Sequence, residues 1–270
     1  MEEWAPPERP VLLTPDSALV AEVYTSPNVD PRRGVAGPDM LILHYTGMED
    51  GEAARRWLCM ERSQVSCHYL IHEDGRIVQM VREADRAWHA GAGSWRGRDD
   101  VNSRSIGIEI VNPGHEHGYR AFPVVQIAAV IELCGDCGSR WPIARENVLA
   151  HSDIAPARKQ DPGELFPWDQ LFSAGIGHFT TPAPVTSGRY FGLGDEGEPV
   201  AAFQALLASY GYEVTASGVF DAATRLATIA FQRHFRPAKV DGIADMSTIT
   251  TLHRLLTSLP SSPYAAAGIA

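Results

Sequence analysis

Met40-Leu-Ile-Leu-His44-Tyr-Thr-Gly47 is the stretch on which the fold turns. An apolar run of this length, closed by glycine and preceded by Pro38, reads as a buried strand, and this one ends on a histidine. Ser105-Ile-Gly-Ile-Glu-Ile-Val111 reads as a second strand, with one carboxylate, Glu109, among apolar neighbours. Asn147-Val-Leu-Ala-His151 reads as a shorter third, again ending on histidine. Around these, Glu52 to Glu61 reads as a helix. Ser66 to His72 and Gly75 to Val81 read as strands about an Asp74-Gly75 hairpin turn. Val124 to Gly138 has Val124, Ile127, Ala128 and Ile131 at helical spacing, and Pro167 to Ala174 reads as a short helix. Strands alternating with helices predict an α/β fold, a mixed central β-sheet flanked by helices, over residues 36–174.

Residues 1–35 are rich in proline, which excludes a long helix and predicts an extended arm packed on the domain. Residues 175–187 have the composition of a semi-stiff linker, with Pro182 and Pro184. Residues 188–258 read as a small three-helix module. Its first helix carries Val200, Phe203, Leu206 and Leu207, its second is capped by Asp221 and runs through Phe231 and His234, and its third starts at Ser247 or Thr248. Residues 259–270 read as a frayed tail.

A chain of 270 residues accommodates these two units. Its formal net charge of -10 argues against a general nucleic-acid partner and against docking on an anionic membrane. No apolar run approaches the ~20 residues of a membrane helix. The first residues lack the basic start and apolar core of a secretory signal, so the expected location is cytoplasmic; the alternative is periplasmic or wall-associated. Cys134-Gly-Asp-Cys137 is a lone pair in a helix, and Cys59 and Cys67 do not complete a four-cysteine metal site. All four are expected to be ordinary reduced cysteines.

His44, His151 and Asp161 are two histidines and a carboxylate, a set that suits a three-ligand catalytic zinc with an open fourth position. The same residues also suit hydrogen-bonded histidines at strand ends. An unpaired buried carboxylate is costly, so Glu109 is either salt-bridged or lining a site, where it suits the role of base toward water. Lys159 reads as a solvated loop charge or as an ammonium turned toward a developing oxyanion.

Several segments together resemble the type 2 N-acetylmuramoyl-L-alanine amidases, the AmpD/AmiD type related to phage amidases and peptidoglycan-recognition proteins. They are Leu43-His-Tyr-Thr46, Ser66-Cys-His-Tyr-Leu-Ile71, Ala87-Trp-His-Ala-Gly91, Asn102 with Ser105-Ile-Gly-Ile-Glu-Ile-Val-Asn112, and Ala150-His-Ser-Asp-Ile-Ala-Pro-Ala-Arg-Lys-Gln-Asp-Pro-Gly163. The resemblance implies Zn2+ held by His44, His151 and Asp161, Glu109 as general base, and Lys159 steadying the tetrahedral intermediate. The implied reaction is hydrolysis of the amide between the lactyl group of N-acetylmuramic acid and L-alanine of the stem peptide, in muropeptides or wall peptidoglycan. His89, with Trp88, resembles the part of the family that lines the cleft, or is a core pair. Trp95, Asn102 and Arg104 are candidates to hold the stem peptide. His68 is expected to be structural, and His115-Glu-His117 a solvated loop.

The C-terminal unit resembles the three-helix peptidoglycan-binding module of cell-wall hydrolases through Gly194, Gly197, Val200, Phe203-Gln204, Leu207, Gly211, Gly218-Val-Phe-Asp221, Thr224, Phe231-Gln232, Asp241-Gly242-Ile243 and Thr248. That family often has glycine where Ala244 or Asp245 stands here. The module is expected to bind wall glycan; the alternative is that it stabilises or gates the other domain. Rival readings of the whole are a non-catalytic peptidoglycan receptor and a zinc peptidase cutting within the stem peptide.

Overall fold

A computed structural model describes residues 13–188 and 190–259. Most of the expected tail and the first twelve residues of the arm lie outside it. In chain order the elements are β1 (Glu22–Val23), β2 (Val29–Pro31), β3 (Met40–Tyr45), α1 (Gly51–Leu58), β4 (Tyr69–Ile71), β5 (Ile77–Gln79), β6 (Asp85–Ala87), α2 (Val101–Arg104), β7 (Ser105–Ile110), α3 (Val124–Arg140), β8 (Val148–Ala150), α4 (His151–Ile154) and α5 (Trp168–Ser173). The module contributes α6 (Glu198–Tyr210), α7 (Ala222–Phe235) and α8 (Met246–Ser258).

Six strands form one mixed sheet in the order β1-β5-β4-β7-β3-β8. Its centre is parallel: β3 lies between β7 and β8, and β4 joins β7 on its other side. Only the β4–β5 hairpin within this sheet is antiparallel. Alternation along β3 sends Leu41 and Leu43 into one core with Ile106, Ile108, Ile110 and the buried face of α3. Met40, Ile42 and His44 occupy the opposite face. Of the expected strand Ser66–His72, Tyr69–Ile71 forms β4, and the helix expected to reach Glu61 ends at Leu58, capped by Cys59. β6 and α2 have no counterpart among the expected elements. His151 is not a strand end but the first residue of α4.

The described part of the arm is tied down through buried polar groups. Asn28 Nδ2 donates to Met60 O, Ser63 Oγ and Val65 O, and Arg32 donates to the carbonyls of Glu83, Ser103 and Ser105. Residues 175–187 contain no helix or strand, and they are strapped to the module. His178 meets Tyr210 Oη and Ser258 Oγ at 2.9 Å each, and the Ala183 backbone bonds the Thr251 and Ser247 hydroxyls.

The module is built on an internal repeat. Gly218-Val-Phe-Asp-Ala-Ala-Thr224 and Gly242-Ile-Ala-Asp-Met-Ser-Thr248 follow Phe203-Gln204 and Phe231-Gln232. Each glutamine accepts from the glycine N–H and donates to the next carbonyl and to the threonine hydroxyl. Each aspartate is the N-cap of the following helix, Asp221 for α7 and Asp245 for α8.

One apolar core runs through both units. Met40, Ile42, Ala90, Trp95 and Ile154 cluster with Val200, Phe203, Tyr210, Phe231 and Leu252. Cys134 and Cys137 are buried free thiols, and burial pushes Cys134 up to about 12, in keeping with reduced cysteines.

Glu83 anchors α3 beside the sheet. Its buried carboxylate accepts from Tyr69 Oη, Arg140 and Trp141 Nε1, at 2.6 to 2.9 Å. Burial alone would raise this carboxyl, but the Arg140 ion pair and the other donors outweigh it and hold it at about 2, below its ordinary 4.5. A depressed folded value stabilises fully above pH 4.5, and the gain disappears as pH falls toward 2. Glu83→Gln is expected to cost on the order of 3 kcal/mol at pH 7. It should also flatten the stability loss between pH 4.5 and 2, read by denaturant titration at stepped pH.

Candidate metal centre

Three adjacent parallel strands deliver the site at their carboxyl ends, the place where open parallel sheets collect functional groups. His44 near the end of β3 and Glu109 on β7 are register partners, so their side chains leave the same face of the sheet. His151 follows β8, the other neighbour of β3. Asp161 arrives on the loop after α4, where Ser152 N–H donates to its carbonyl at 3.1 Å.

His44, His151 and Asp161 are buried, with ligand atoms within 4.8 Å of one another. His44 Nδ1 lies 2.9 Å from His151 Nδ1 and 3.1 Å from Asp161 Oδ2, and His151 Nδ1 lies 3.0 Å from the same oxygen. The proton positions follow from the far side of the rings. Ser105 Oγ donates to Val101 O, so toward His89 Nε2 it can only accept. Burial lowers His89 well below 6.5, so its ring is neutral, with the proton on Nε2 and a bare Nδ1. That bare nitrogen accepts from His44 Nε2–H at 3.0 Å. Burial, then the neighbouring His151, lowers His44 to about 4, so its neutral ring turns a bare Nδ1 to the site. His151 Nε2 donates to Ala90 O at 3.0 Å, which in the neutral ring also frees Nδ1. Two bare nitrogens and a carboxylate oxygen converging this closely fit a divalent cation.

The carboxylates differ in environment. Burial would raise Asp161, but the neighbouring His151 and His44 hold it well below the carboxylate range. Glu109 keeps some exposure to the cavity, yet burial pushes its carboxyl well above the usual range, and Asp161 adds to this while Lys159 opposes it. Its Oε2 has no hydrogen-bond partner among the described residues. This buried acceptor lines the same cavity as the three ligands, where it suits a proton-accepting role.

The cavity has a volume of about 380 Å³. Glu109, Lys159 and His89 line it together with the metal-ligand group. Trp95, Asn102 and Arg104 do not, which corrects the expectation that they grip a peptide. Trp95 is fully buried and packs edge-on against Tyr210 and Tyr212, with Gly211 leaving room for its ring. Arg104 is ion-paired to Asp39. Asn102 Oδ1 accepts from the backbone N–H groups of His89 and Ala90, at 3.0 and 2.7 Å. It therefore fixes the loop that supports both histidine ligands. His89 is both a cavity residue and the support of His44. A Cβ on Gly107 would lie 2.3 Å from the His89 ring, so only glycine fits there.

His68 is structural: its Nδ1 accepts from Gly107 N–H at 2.9 Å. Of the expected solvated triplet, Glu116 and His117 are exposed, but His115 is half-buried. It meets Tyr45 Oη at 3.0 Å, pairs with Glu164 at 3.2 Å, stacks on Tyr119 and lines the cavity. Arg158 and Gln160 also line the cavity, and reasoning from sequence does not single them out. Their adjacency to Lys159 and Asp161 is the available signal.

Residues 34–164 match the family model described as N-acetylmuramoyl-L-alanine amidase, and residues 196–252 match a putative peptidoglycan binding domain. The N-acetylmuramoyl-L-alanine amidase AmiD of Escherichia coli is 39% identical over 231 residues, covering 80% of this chain and 82% of that protein. A solved complex of AmiD with the substrate anhydro-N-acetylmuramic acid-L-Ala-D-gamma-Glu-L-Lys superposes with a TM-score of 0.69 at 37% identity, covering 83% of this chain and 91% of that one. AmpDh3 of Pseudomonas aeruginosa superposes with a TM-score of 0.68 at 31% identity, covering 93% of this chain and all of that one.

Removing the support of a ligand typically weakens metal binding 10–100-fold. His89→Ala is therefore expected to lower divalent-metal affinity by about that factor, measured by chelator competition. An unchanged affinity in the folded variant would contradict the assignment of His89 as the support of His44.

Proposed function

Since the chain belongs to the N-acetylmuramoyl-L-alanine amidase family, we propose that its metal is zinc, held by His44, His151 and Asp161, and that Glu109 and Lys159 carry the proton and charge work of the reaction. The reaction is hydrolysis of the amide joining the lactyl group of N-acetylmuramic acid to L-alanine. When bound, zinc supplies Lewis-acid polarisation of the scissile carbonyl and acidifies water.

The observation that carries this reading is the convergence of the bare His44 and His151 nitrogens beside the unpartnered carboxylate oxygen of Glu109. Glu109 takes a proton from the attacking water. It then delivers that proton to the departing amine of L-alanine, so the base is regenerated. Its burial makes it a stronger base than a solvated carboxylate, and the Lys159 ammonium favours its ionised form. Lys159 lines the same cavity and places a positive charge where the carbonyl oxygen becomes negative. Arg158 also lines the cavity, with its Nε and Nη2 donating to the carbonyls of Ala92 and Ala90.

The substrate we favour is a soluble muropeptide, the class named for the AmiD complex, including those with 1,6-anhydro ends. The C-terminal module belongs to a putative peptidoglycan-binding family, so longer wall fragments are the second candidate.

The deciding experiment is mass spectrometry of products from purified anhydro-muropeptide and from intact sacculi. Release of free stem peptide starting at L-alanine, lost with chelator and restored by zinc, is expected. Fragments that keep L-alanine on the lactyl group would instead indicate a peptidase. Glu109→Gln is expected to lower kcat by about 10²–10⁴-fold while zinc remains bound. Full activity in that variant would remove Glu109 from the mechanism.

A further inference from the structure

The C-terminal module reaches the metal loops through α7 and through Tyr212, just beyond α6. Asp153 lies two residues beyond His151 and is buried. Its Oδ2 accepts from Ala150 N–H at 2.8 Å, which fixes the turn between β8 and α4 from which His151 projects. The remaining partners of this carboxylate come from the module. Tyr212 Oη donates to Oδ1 at 2.6 Å, and His234 Nδ1 on α7 meets Oδ2 at 2.7 Å. The His234 ring is held flat against Trp168, at 3.7 Å between centroids. The preceding residue, Arg233, donates to Gln160 Oε1 at 3.2 Å and lies 3.7 Å from the Glu164 carboxylate. Gln160 and Glu164 bracket Asp161. Consecutive residues of α7 therefore hold the turn that carries one ligand and the loop that carries another.

We infer that the module is a structural part of the metal centre, with Tyr212 and His234 positioning His151 through Asp153, and Arg233 positioning the loop of Asp161. The inference rests on the reading of His44, His151 and Asp161 as the zinc site. It gives the module a role beyond wall binding. The physical basis is that a buried carboxylate is costly unless its oxygens are satisfied. Without its module donors, Asp153 would turn toward other donors and release Ala150 N–H, and His151 would lose its aim. Tyr212, His234 and Arg233 touch neither metal nor substrate, so they are positioning residues.

The experiment measures zinc affinity by chelator competition, kcat and KM on soluble anhydro-muropeptide, and Tm, all in the full chain. His234→Ala is expected to raise the zinc dissociation constant about tenfold, and to lower kcat more than it changes KM. His234→Asn, whose amide can donate from nearly the position of Nδ1, is expected to restore most of the affinity. Tyr212→Phe keeps the ring and removes one hydrogen bond, so it is expected to weaken zinc binding about fivefold. It carries the test if His234→Ala fails to fold. Leu252→Ala, on α8 and outside the hydrogen bonds to Asp153, Gln160 and Glu164, is expected to lower Tm and leave zinc affinity unchanged. Wild-type affinity in folded His234→Ala or Tyr212→Phe overturns the inference. So does an equal loss in Leu252→Ala, which would mean that general loosening is responsible. Failure of the wild-type chain to bind zinc overturns the zinc-site reading itself, and this inference with it.

Discussion

Two imidazole nitrogens bearing lone pairs face each other across 2.9 Å, and that geometry organises much of the catalytic unit. Lone pairs repel unless a cation lies between them. Each ring must therefore keep its proton on the opposite nitrogen, and each of those nitrogens needs an acceptor. The acceptors are adjacent residues of one loop, His89 for His44 and Ala90 for His151. A loop that supplies two acceptors at fixed distances cannot be slack. Asn102 holds it by accepting from both backbone N–H groups, and the short helix α2 carries Asn102. Elements that look incidental in the topology thus serve to fix two protons.

The two carboxylates of the site diverge for the same reason. Asp161 is surrounded by the histidines and stays ionised as a ligand. Glu109 has burial and a like charge acting on it, so it holds a proton more readily. Environments that drive two carboxyls apart assign their roles. The fold achieves this by placing one carboxylate on the site face of a strand and the other on a loop that crosses the strand ends.

The ligands are legible in the sequence because each sits where a local pattern breaks. His44 and His151 end apolar runs, and Asp161 shares a compact segment with His151 and Lys159. Glu109 is legible as a lone charge in a β-branched strand. The three-helix unit is legible from its apolar spacing and its capping aspartates. Trp95 is not, because its partners, Tyr210, Gly211 and Tyr212, lie more than a hundred residues away, and no local period records such a contact. Asn102 belongs to the region the sequence indicates but plays a different part there. It holds backbone, whereas a polar side chain near a cleft suggests a grip on substrate. His115 resembles a solvated loop residue for want of any sequence signal that Tyr45 and Glu164 meet it. The β6 strand escapes a local reading since its pairing with β2 belongs to the arm, whose prolines argue only against helix.

Ser105, Gly107 and Glu109 share one face of β7, and Ile106, Ile108 and Ile110 share the other. Read along the site face, the strand spells a hydroxyl that orients His89, an empty place that admits its ring, and the carboxylate beside the ligands. The strand behaves as a ruler with 2-residue divisions. Inserting or deleting one residue upstream of it within the sheet would exchange the two faces. Isoleucine would enter the site as the carboxylate entered the core. Chemistry and packing are therefore written in the same register, and neither can drift without the other.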